Sequence, residues 1–276
     1  MDNAHRKYQA LETLLQSYES AAVAFSGGVD STFLLAAAHA VLGERVIAVT
    51  ADSAFFPRRE QSDAVEFCRN RGIRQIVIHA DVLHDTNIIQ NPPNRCYLCK
   101  RLIFTQIQQI AAQNGISKIA EGSNLDDLGD YRPGMQAIAE LGIYSPLREV
   151  SLTKQEIRLL SKEMGLPTWE KPSFACLASR IPYGDLITAK NLAMAEQAER
   201  FLLDSGFRQV RVRIHGDIAR IEVLPADFER MVSIREQVTA ELKSIGFRYV
   251  CLDLNGYRTG SLNEALNNGI HAGNGI

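Results

Sequence analysis

Ala21-Ala22-Val23-Ala24-Phe25-Ser26-Gly27-Gly28-Val29-Asp30-Ser31 is the stretch on which the reading of this chain turns. Residues 21–25 form an apolar strand and residues 31–42 an apolar helix. Between them, Ser26-Gly27-Gly28-Val29-Asp30-Ser31 is a loop with paired glycines. Glycine adopts positive φ without a steric penalty and lets the backbone approach an anion closely. Backbone N–H groups at a helix N-terminus then bind a phosphate group, and Ser26 and Ser31 add hydroxyl donors. The loop lacks the lysine of GxxxxGK(S/T), so it is not a Walker A motif, and its spacing is not GxGxxG. An ordinary glycine-rich turn is the competing reading.

Outward from this loop, strand and helix signals alternate. A helix ends over residues 11–18. Residues 45–51 and 75–80 are strands rich in Val and Ile, with a helix at 57–71 between them. Residues 99–114 are helical, with Leu102, Ile103, Ile107 and Ile110 at helical spacing, and 118–121 is a fourth strand. This alternation predicts an α/β fold, a doubly wound parallel sheet covered on both faces. Such sheets bind ligands at the carboxyl ends of their strands. The pattern changes near Met164, where Gly165, Pro167 and Pro172 break the chain. A helix at 189–205, strands at 209–214 and 218–224, a helix at 226–245 and a strand at 249–254 then predict a second, smaller α+β domain. His215-Gly216-Asp217 is its tight turn. The expected domains are 1–165 and 166–262, followed by a loose Asn- and Gly-rich tail at 263–276.

The composition is that of a globular chain, with 46% hydrophobic and 22% charged residues. A net charge of -2 gives no global basic field for nucleic acid. Residues 1–7 are polar, unlike a signal peptide, and the longest apolar run is too short to span a bilayer. A cytoplasmic protein that contacts no membrane is expected. The cysteines number five, Cys68, Cys96, Cys99, Cys176 and Cys251. An odd count without a secretory signal argues against a disulfide scaffold and for metal or catalytic use.

The loop after an apolar strand resembles the PP-loop ATP pyrophosphatase superfamily, which includes NAD, GMP, asparagine and argininosuccinate synthetases and tRNA-thiolating enzymes. The resemblance implies cleavage of ATP between its α and β phosphates: an acceptor oxygen is adenylated, pyrophosphate leaves on the loop, and a nucleophile displaces AMP. A second signature, Glu121-Gly122-Ser123-Asn124-Leu125-Asp126-Asp127, follows the fourth strand. Asp126 or Asp127, helped by Asp30, suits the Mg²⁺ that would stabilise the leaving pyrophosphate. These aspartates could instead cap the following segment. Gly122 and Asn124, with Asp52 and Ser53 at the end of the second strand, belong near the nucleotide by the same strand-end logic.

Cys96-Tyr97-Leu98-Cys99 opens a helix, where a thiolate pKa is depressed. A redox dithiol, half of a zinc site and part of a cluster site all fit this pattern. Cys176 is the obvious third ligand, in the aperiodic segment 171–180. Three thiolates on a cubane iron–sulfur cluster leave one iron open for an exogenous sulfide. Cys68, in a helix, and Cys251, in an apolar strand, are expected as small buried residues.

The segment around Cys176, with Arg180-Ile181-Pro182-Tyr183-Gly184, resembles the LarE-type ATP-dependent sulfur transferases. So do Asp130-Tyr131-Arg132-Pro133-Gly134 and Arg211-Val212-Arg213-Ile214-His215, and the likeness runs on to Gly256-Tyr257-Arg258. The resemblance implies adenylation of a carboxylate of pyridinium-3,5-biscarboxylic acid mononucleotide and its conversion to a thiocarboxylate for the nickel-pincer cofactor of lactate racemase. Some members sacrifice the sulfur of the cysteine matching Cys176. The presence of Cys96 and Cys99 is similar to the three-cysteine subgroup, in which a 4Fe-4S cluster carries the sulfide. Sulfide or another sulfur donor is then a partner, and a homo-oligomer is expected.

Arg211 and Arg213 alternate on one strand and share a face. By spacing alone, an exposed face of solvated charge is the better reading. The resemblance instead implies that they hold the substrate phosphate, with Arg180, Glu199, Glu222 and Arg258 as further candidates. Three rivals remain at this point: a tRNA thiolase, which needs a basic surface; an ammonia-using synthetase, which needs no cysteine; and a sensing module without catalysis.

Overall fold

The computed structural model describes residues 2–129, 133–172 and 175–263. Asp130-Tyr131-Arg132, Ser173, Phe174 and the tail from residue 264 lie outside the described residues. The elements, in chain order, are α1 (Asn3–Gln16), β1 (Ala21–Ala24), α2 (Val29–Leu42), β2 (Val46–Asp52), α3 (Arg58–Asn70), β3 (Gln75–His79) and α4 (Thr86–Ile89). There follow α5 (Arg95–Gln113), β4 (Ile119–Ala120), α6 (Pro133–Glu140), α7 (Pro146–Glu149), α8 (Lys154–Glu163) and α9 (Ala189–Asp204). The chain then runs through β5 (Val210–His215), β6 (Ile218–Val223), α10 (Phe228–Ser233), α11 (Arg235–Ile245) and β7 (Tyr249–Leu252).

Packing divides these into two units. One comprises Met1–Val82 and Asn94–Phe174, the other Leu83–Pro93 and Ala175–Ile276. The first unit extends past the Gly165–Pro172 breakers because Leu166 is buried in its core and Arg158 donates to the carbonyls of Trp169 and Lys171. The second takes in Leu83–Pro93 because the Asn91 side-chain amide donates to the carbonyls of Ile181 and Pro182, and Ile187 N–H donates to Ile89.

In the first unit, four parallel strands lie in the order β3-β2-β1-β4. Successive strand residues face opposite ways. Ala21, Val23, Val46 and Ala48 therefore enter one core with Leu11, Phe33, Leu34 and Ile157, while Ala22, Ile47 and Val49 enter another with Ile103, Phe104 and Ile107. Helices cover both faces, as a doubly wound sheet requires. Helix α2 is apolar nearly all round, and Phe33, Leu34 and Leu35 are fully buried, as befits a central helix. The strand order reverses between β1 and β4, so the crevice at their carboxyl ends is the ligand position this fold dictates.

The second unit carries β5 antiparallel to β6 and β6 parallel to β7. Val210, Val212, Ile214, Ala219, Ile221 and Val223 pack with Ala198, Leu202, Val238 and Leu242 from α9 and α11. The single helix expected at 226–245 is broken: Ile234, with ψ 17, separates α10 from α11. Cys251 is exposed rather than buried, because β7 is an edge strand whose residues alternate between half-buried and exposed. Spacing alone favours a solvated face for Arg211 and Arg213, and the structure rules that alternative out, since both are buried.

Among the described helices, none is long and apolar enough to cross a membrane. Helix α8 opens with a capping box, Thr153 accepting from Glu156 N–H while the Glu156 carboxylate accepts from Thr153 N–H. The Lys7 ammonium also donates to Glu156, tying α1 to this cap. Replacing Thr153 by Ala should lower unfolding free energy by about 1 kcal/mol, measured by urea titration. An unchanged midpoint would show that the cap adds nothing.

Candidate functional site

The loop after β1 is built for an anion. Gly27 has φ +74, and a Cβ there would lie 3.1 Å from the Glu60 carbonyl oxygen of α3. Gly28 is the N-cap of α2 and supplies no side-chain cap. The first N–H groups of α2 therefore lack the partner that a capping side chain would give, and an anion can take that place. Ser26 Oγ and Ser31 Oγ are 3.0 Å apart, and Ser31 Oγ donates to the Gly28 carbonyl at 3.2 Å. Both hydroxyls thus stand at the same helix end.

The loop after β4 meets the same place. A Cβ at Gly122 would lie 2.9 Å from the backbone nitrogen of Ser31, so only glycine allows this contact with the first turn of α2. Glu121 is buried and accepts from Ser123 N–H, Ser123 Oγ and, at 2.6 Å, Ser145 Oγ. Asn124 is buried too; its side-chain oxygen accepts from Asp126 N–H at 2.9 Å. Asp127 accepts locally from Asn124 N–H at 2.9 Å, whereas Asp126 accepts from Lys154 N–H at 2.8 Å, at the distant start of α8 rather than in the following segment. Asp30 differs. Its Oδ2 is hydrogen-bonded by Lys154 Nζ, but Oδ1 is buried without a partner among the described residues. An orphaned carboxylate oxygen at a phosphate-binding helix end fits a divalent cation that accompanies a nucleotide. At the end of β2, Ser53 is buried and its Oγ accepts from Phe55 N–H at 3.3 Å, while Asp52 is exposed beside His79.

Two cations here escaped the sequence reading. Lys154 sits on Asp30, and Lys171 Nζ reaches the Gly27 carbonyl. The missing Walker lysine was the available signal: a loop that binds pyrophosphate without its own lysine needs positive charge from elsewhere.

The thiols divide between the units. Cys96 and Cys99 are half-buried, one turn apart at the start of α5 in the first unit, so they share a helix face. Cys176, also half-buried, stands just before a 3₁₀ turn at Leu177–Arg180 in the second unit. None of the five cysteines is in a disulfide. Among the described residues, no group of three or more His, Cys, Asp or Glu is gathered as a metal site. Thiolates are soft donors, suited to iron or zinc rather than magnesium, and Cys96 and Cys99 present two of them on one helix face.

Arg180 organises the Cys176 turn. It is fully buried, donates to both oxygens of Glu199 at 2.7 Å, and donates through Nη1 to the carbonyls of Ala175 and Cys176 and to Ser179 Oγ. Burial works against its charge, yet the Glu199 carboxylate wins and holds the guanidinium above its ordinary value. Arg213 makes the same fork to Glu222 at 3.0 Å and donates to the Ser179 carbonyl and Ser261 Oγ. Arg211 faces the Tyr257 ring at 5.2 Å. Burial, reinforced by the charge of Arg180, depresses its guanidinium to about 10. A bound anion beside it would reverse that shift. Arg258, half-buried, lies 4.0 Å from Asp253.

No protein-family model matches the chain. It is 40% identical to an uncharacterised protein of Synechocystis over 94% of this chain and 98% of that protein. It is 39% identical to the pyridinium-3,5-bisthiocarboxylic acid mononucleotide synthase of Lactiplantibacillus plantarum over 94% of this chain and 95% of that enzyme. One component of the glutamine-hydrolysing GMP synthase of Methanocaldococcus jannaschii is 27% identical over 58% of this chain and 55% of its own length.

The thiol environments separate sharply by reactivity. Burial pushes the Cys68 thiol up to about 12, whereas Cys251 is exposed. At pH 8, a disulfide reagent should modify Cys251 within minutes and Cys68 only after denaturation, as followed by peptide mass mapping. Rapid native modification of Cys68 would contradict the packing of α3.

Proposed function

The chain belongs to the family of the pyridinium-3,5-bisthiocarboxylic acid mononucleotide synthases, the LarE-type sulfur transferases, and we propose that it converts a carboxylate of pyridinium-3,5-biscarboxylic acid mononucleotide to a thiocarboxylate. It is an enzyme of the ATP-using PP-loop class. The product would serve nickel-pincer cofactor synthesis.

The observation that carries the reading is the uncapped N-terminus of α2, with the orphaned Asp30 Oδ1 beside it. The β and γ phosphates of ATP seat there on the N–H groups following Gly27 and Gly28, with Ser26 and Ser31 as hydroxyl donors. Asp52, Ser53, Gly122 and Asn124 flank the nucleotide. Asp30, Asp126 and Asp127 would hold Mg²⁺, which would supply charge neutralisation for the departing pyrophosphate. The substrate phosphate lies with Arg211, whose depressed guanidinium gains from an anion; Arg180, Arg213, Glu199, Glu222 and Arg258 keep that pocket in shape.

In the first step a carboxylate oxygen attacks the α-phosphorus, and pyrophosphate leaves. In the second a sulfur nucleophile attacks the acyl carbon, AMP leaves with the former carboxylate oxygen, and the thiocarboxylate remains. Cys96, Cys99 and Cys176 would hold a 4Fe-4S cluster. When bound, such a cluster would supply the sulfide that acts as the nucleophile. The intact side chains of the three cysteines then survive turnover.

Anaerobically purified protein tests this. With ATP, Mg²⁺, the mononucleotide and sulfide, AMP and thiocarboxylate should form in equal amounts over many turnovers. Iron and sulfide should be bound, Cys96→Ser should lose them, and Cys176 should remain cysteine by mass. Full activity without iron, with Cys176 converted to dehydroalanine, would refute the catalytic version. In the same assay Arg211→Gln should raise KM for the mononucleotide about tenfold and leave KM for ATP unchanged.

A further inference from the structure

Behind the phosphate loop lies an ion cluster in which Lys171 spends its charge on protein groups. Lys171 Nζ is 2.9 Å from Glu60 Oε2 and 2.9 Å from Asp63 Oδ2, both on α3, and 3.3 Å from the carbonyl oxygen of Gly27. The side chains of Lys171 and Glu60 are each only 14% exposed. A surface pair of this kind contributes little and drifts; a mostly buried ammonium held by two carboxylates stays in place. The lysine is also held from its own backbone, since Arg158 donates to its carbonyl at 2.7 Å. Its direction is therefore fixed from both ends.

The consequence lies in the geometry of one peptide group. Gly27 C=O and Gly28 N–H belong to the same planar trans unit and point in opposite directions. A cation bound to the carbonyl turns the N–H to the far side. That N–H has only a long contact, 3.4 Å, to Ser26 Oγ, so a better acceptor can claim it. Gly27 is left-handed, with α3 packed close behind it, and without an anchor a glycine–glycine peptide can flip at modest cost. We propose that Lys171 is a positioning residue: its ammonium pins the Gly27 carbonyl and so keeps the Gly28 N–H facing the pyrophosphate. The inference rests on the reading of Ser26–Ser31 as the pyrophosphate cradle. It assigns Glu60 and Asp63 to holding the lysine, not to binding ligand. Burial raises the Glu60 carboxyl above its usual range, and the Lys171 charge opposes this in part.

Calorimetric titration of magnesium pyrophosphate, and separately of AMP, into the wild-type protein, Lys171→Gln and Lys171→Arg tests the assignment. Lys171→Gln should bind pyrophosphate about tenfold more weakly with AMP affinity unchanged, and Lys171→Arg should recover most of the loss. Equal pyrophosphate affinity in a folded Lys171→Gln protein overturns the assignment. So does a parallel loss of pyrophosphate and AMP binding, which marks general collapse of the site. Wild-type protein that binds no pyrophosphate would overturn the cradle reading and the assignment with it. Should Lys171→Gln not fold, Asp63→Ala at a half-exposed position replaces it. A fall of about threefold for pyrophosphate alone supports the role, and no fall overturns it.

Discussion

The first turn of α2 carries backbone N–H groups that no side chain caps, and the first unit is arranged around that unmet demand. Helix α2 is buried along nearly every side, while its N-terminal end is open at Ser26 and in part at Gly28 and Asp30, so a ligand can reach its free N–H groups. Gly28 at the N-cap and Gly122 against Ser31 keep side chains away from those donors, and Gly27 at positive φ lets the loop pack against α3 behind it. The strand order places the loops after β1 and β4 at the reversal point of the sheet, so both converge on this helix end. Asp30 brings a buried carboxylate oxygen without a partner among the described residues, which a bound cation would satisfy. Fold, glycine placement and charge thus point to one ligand, a polyphosphate with its metal.

The second unit meets a different problem, that of burying charge. Arg180 and Arg213 are matched by Glu199 and Glu222 through two-pronged contacts, the geometry in which a guanidinium tolerates burial. Glu199 also accepts from the backbone N–H of Val212, and Arg180 holds the carbonyls of Ala175 and Cys176 that lead into the turn. The arginine–glutamate lattice therefore sets the position of the Cys176 backbone as well as the environment of Arg211. The residues that resemblance marked as a substrate-phosphate set are first of all a scaffold for one another.

Much of this was legible in the sequence where a local rule decides the outcome. The four parallel strands follow from short apolar runs separated by helices, and the loop from two glycines between a strand and a helix. The 226–245 helix broke because Ile234 leaves helical ψ, which the apolar periodicity does not report. A buried Cys251, and the solvated Arg211–Arg213 face that spacing alone favours, fail for a common reason. Whether a strand face is covered depends on sheet order and on what packs over it, and neither is local. Cys251 fell on an edge, while the arginines fell beneath the Cys176 turn, where Arg213 donates to the Ser179 carbonyl. Lys154 and Lys171 were invisible because a cation far along the chain joins the loop only through the tertiary fold.

The central claim is that a carboxylate, and not water or a hydroxyl, is adenylated before sulfur arrives. Mononucleotide labelled with heavy oxygen in its carboxylates tests this through the mass of the released AMP. One labelled oxygen in each AMP formed, and none in pyrophosphate, is the result expected of an acyl adenylate. AMP that carries no label, or ATP cleaved to ADP, would contradict the account.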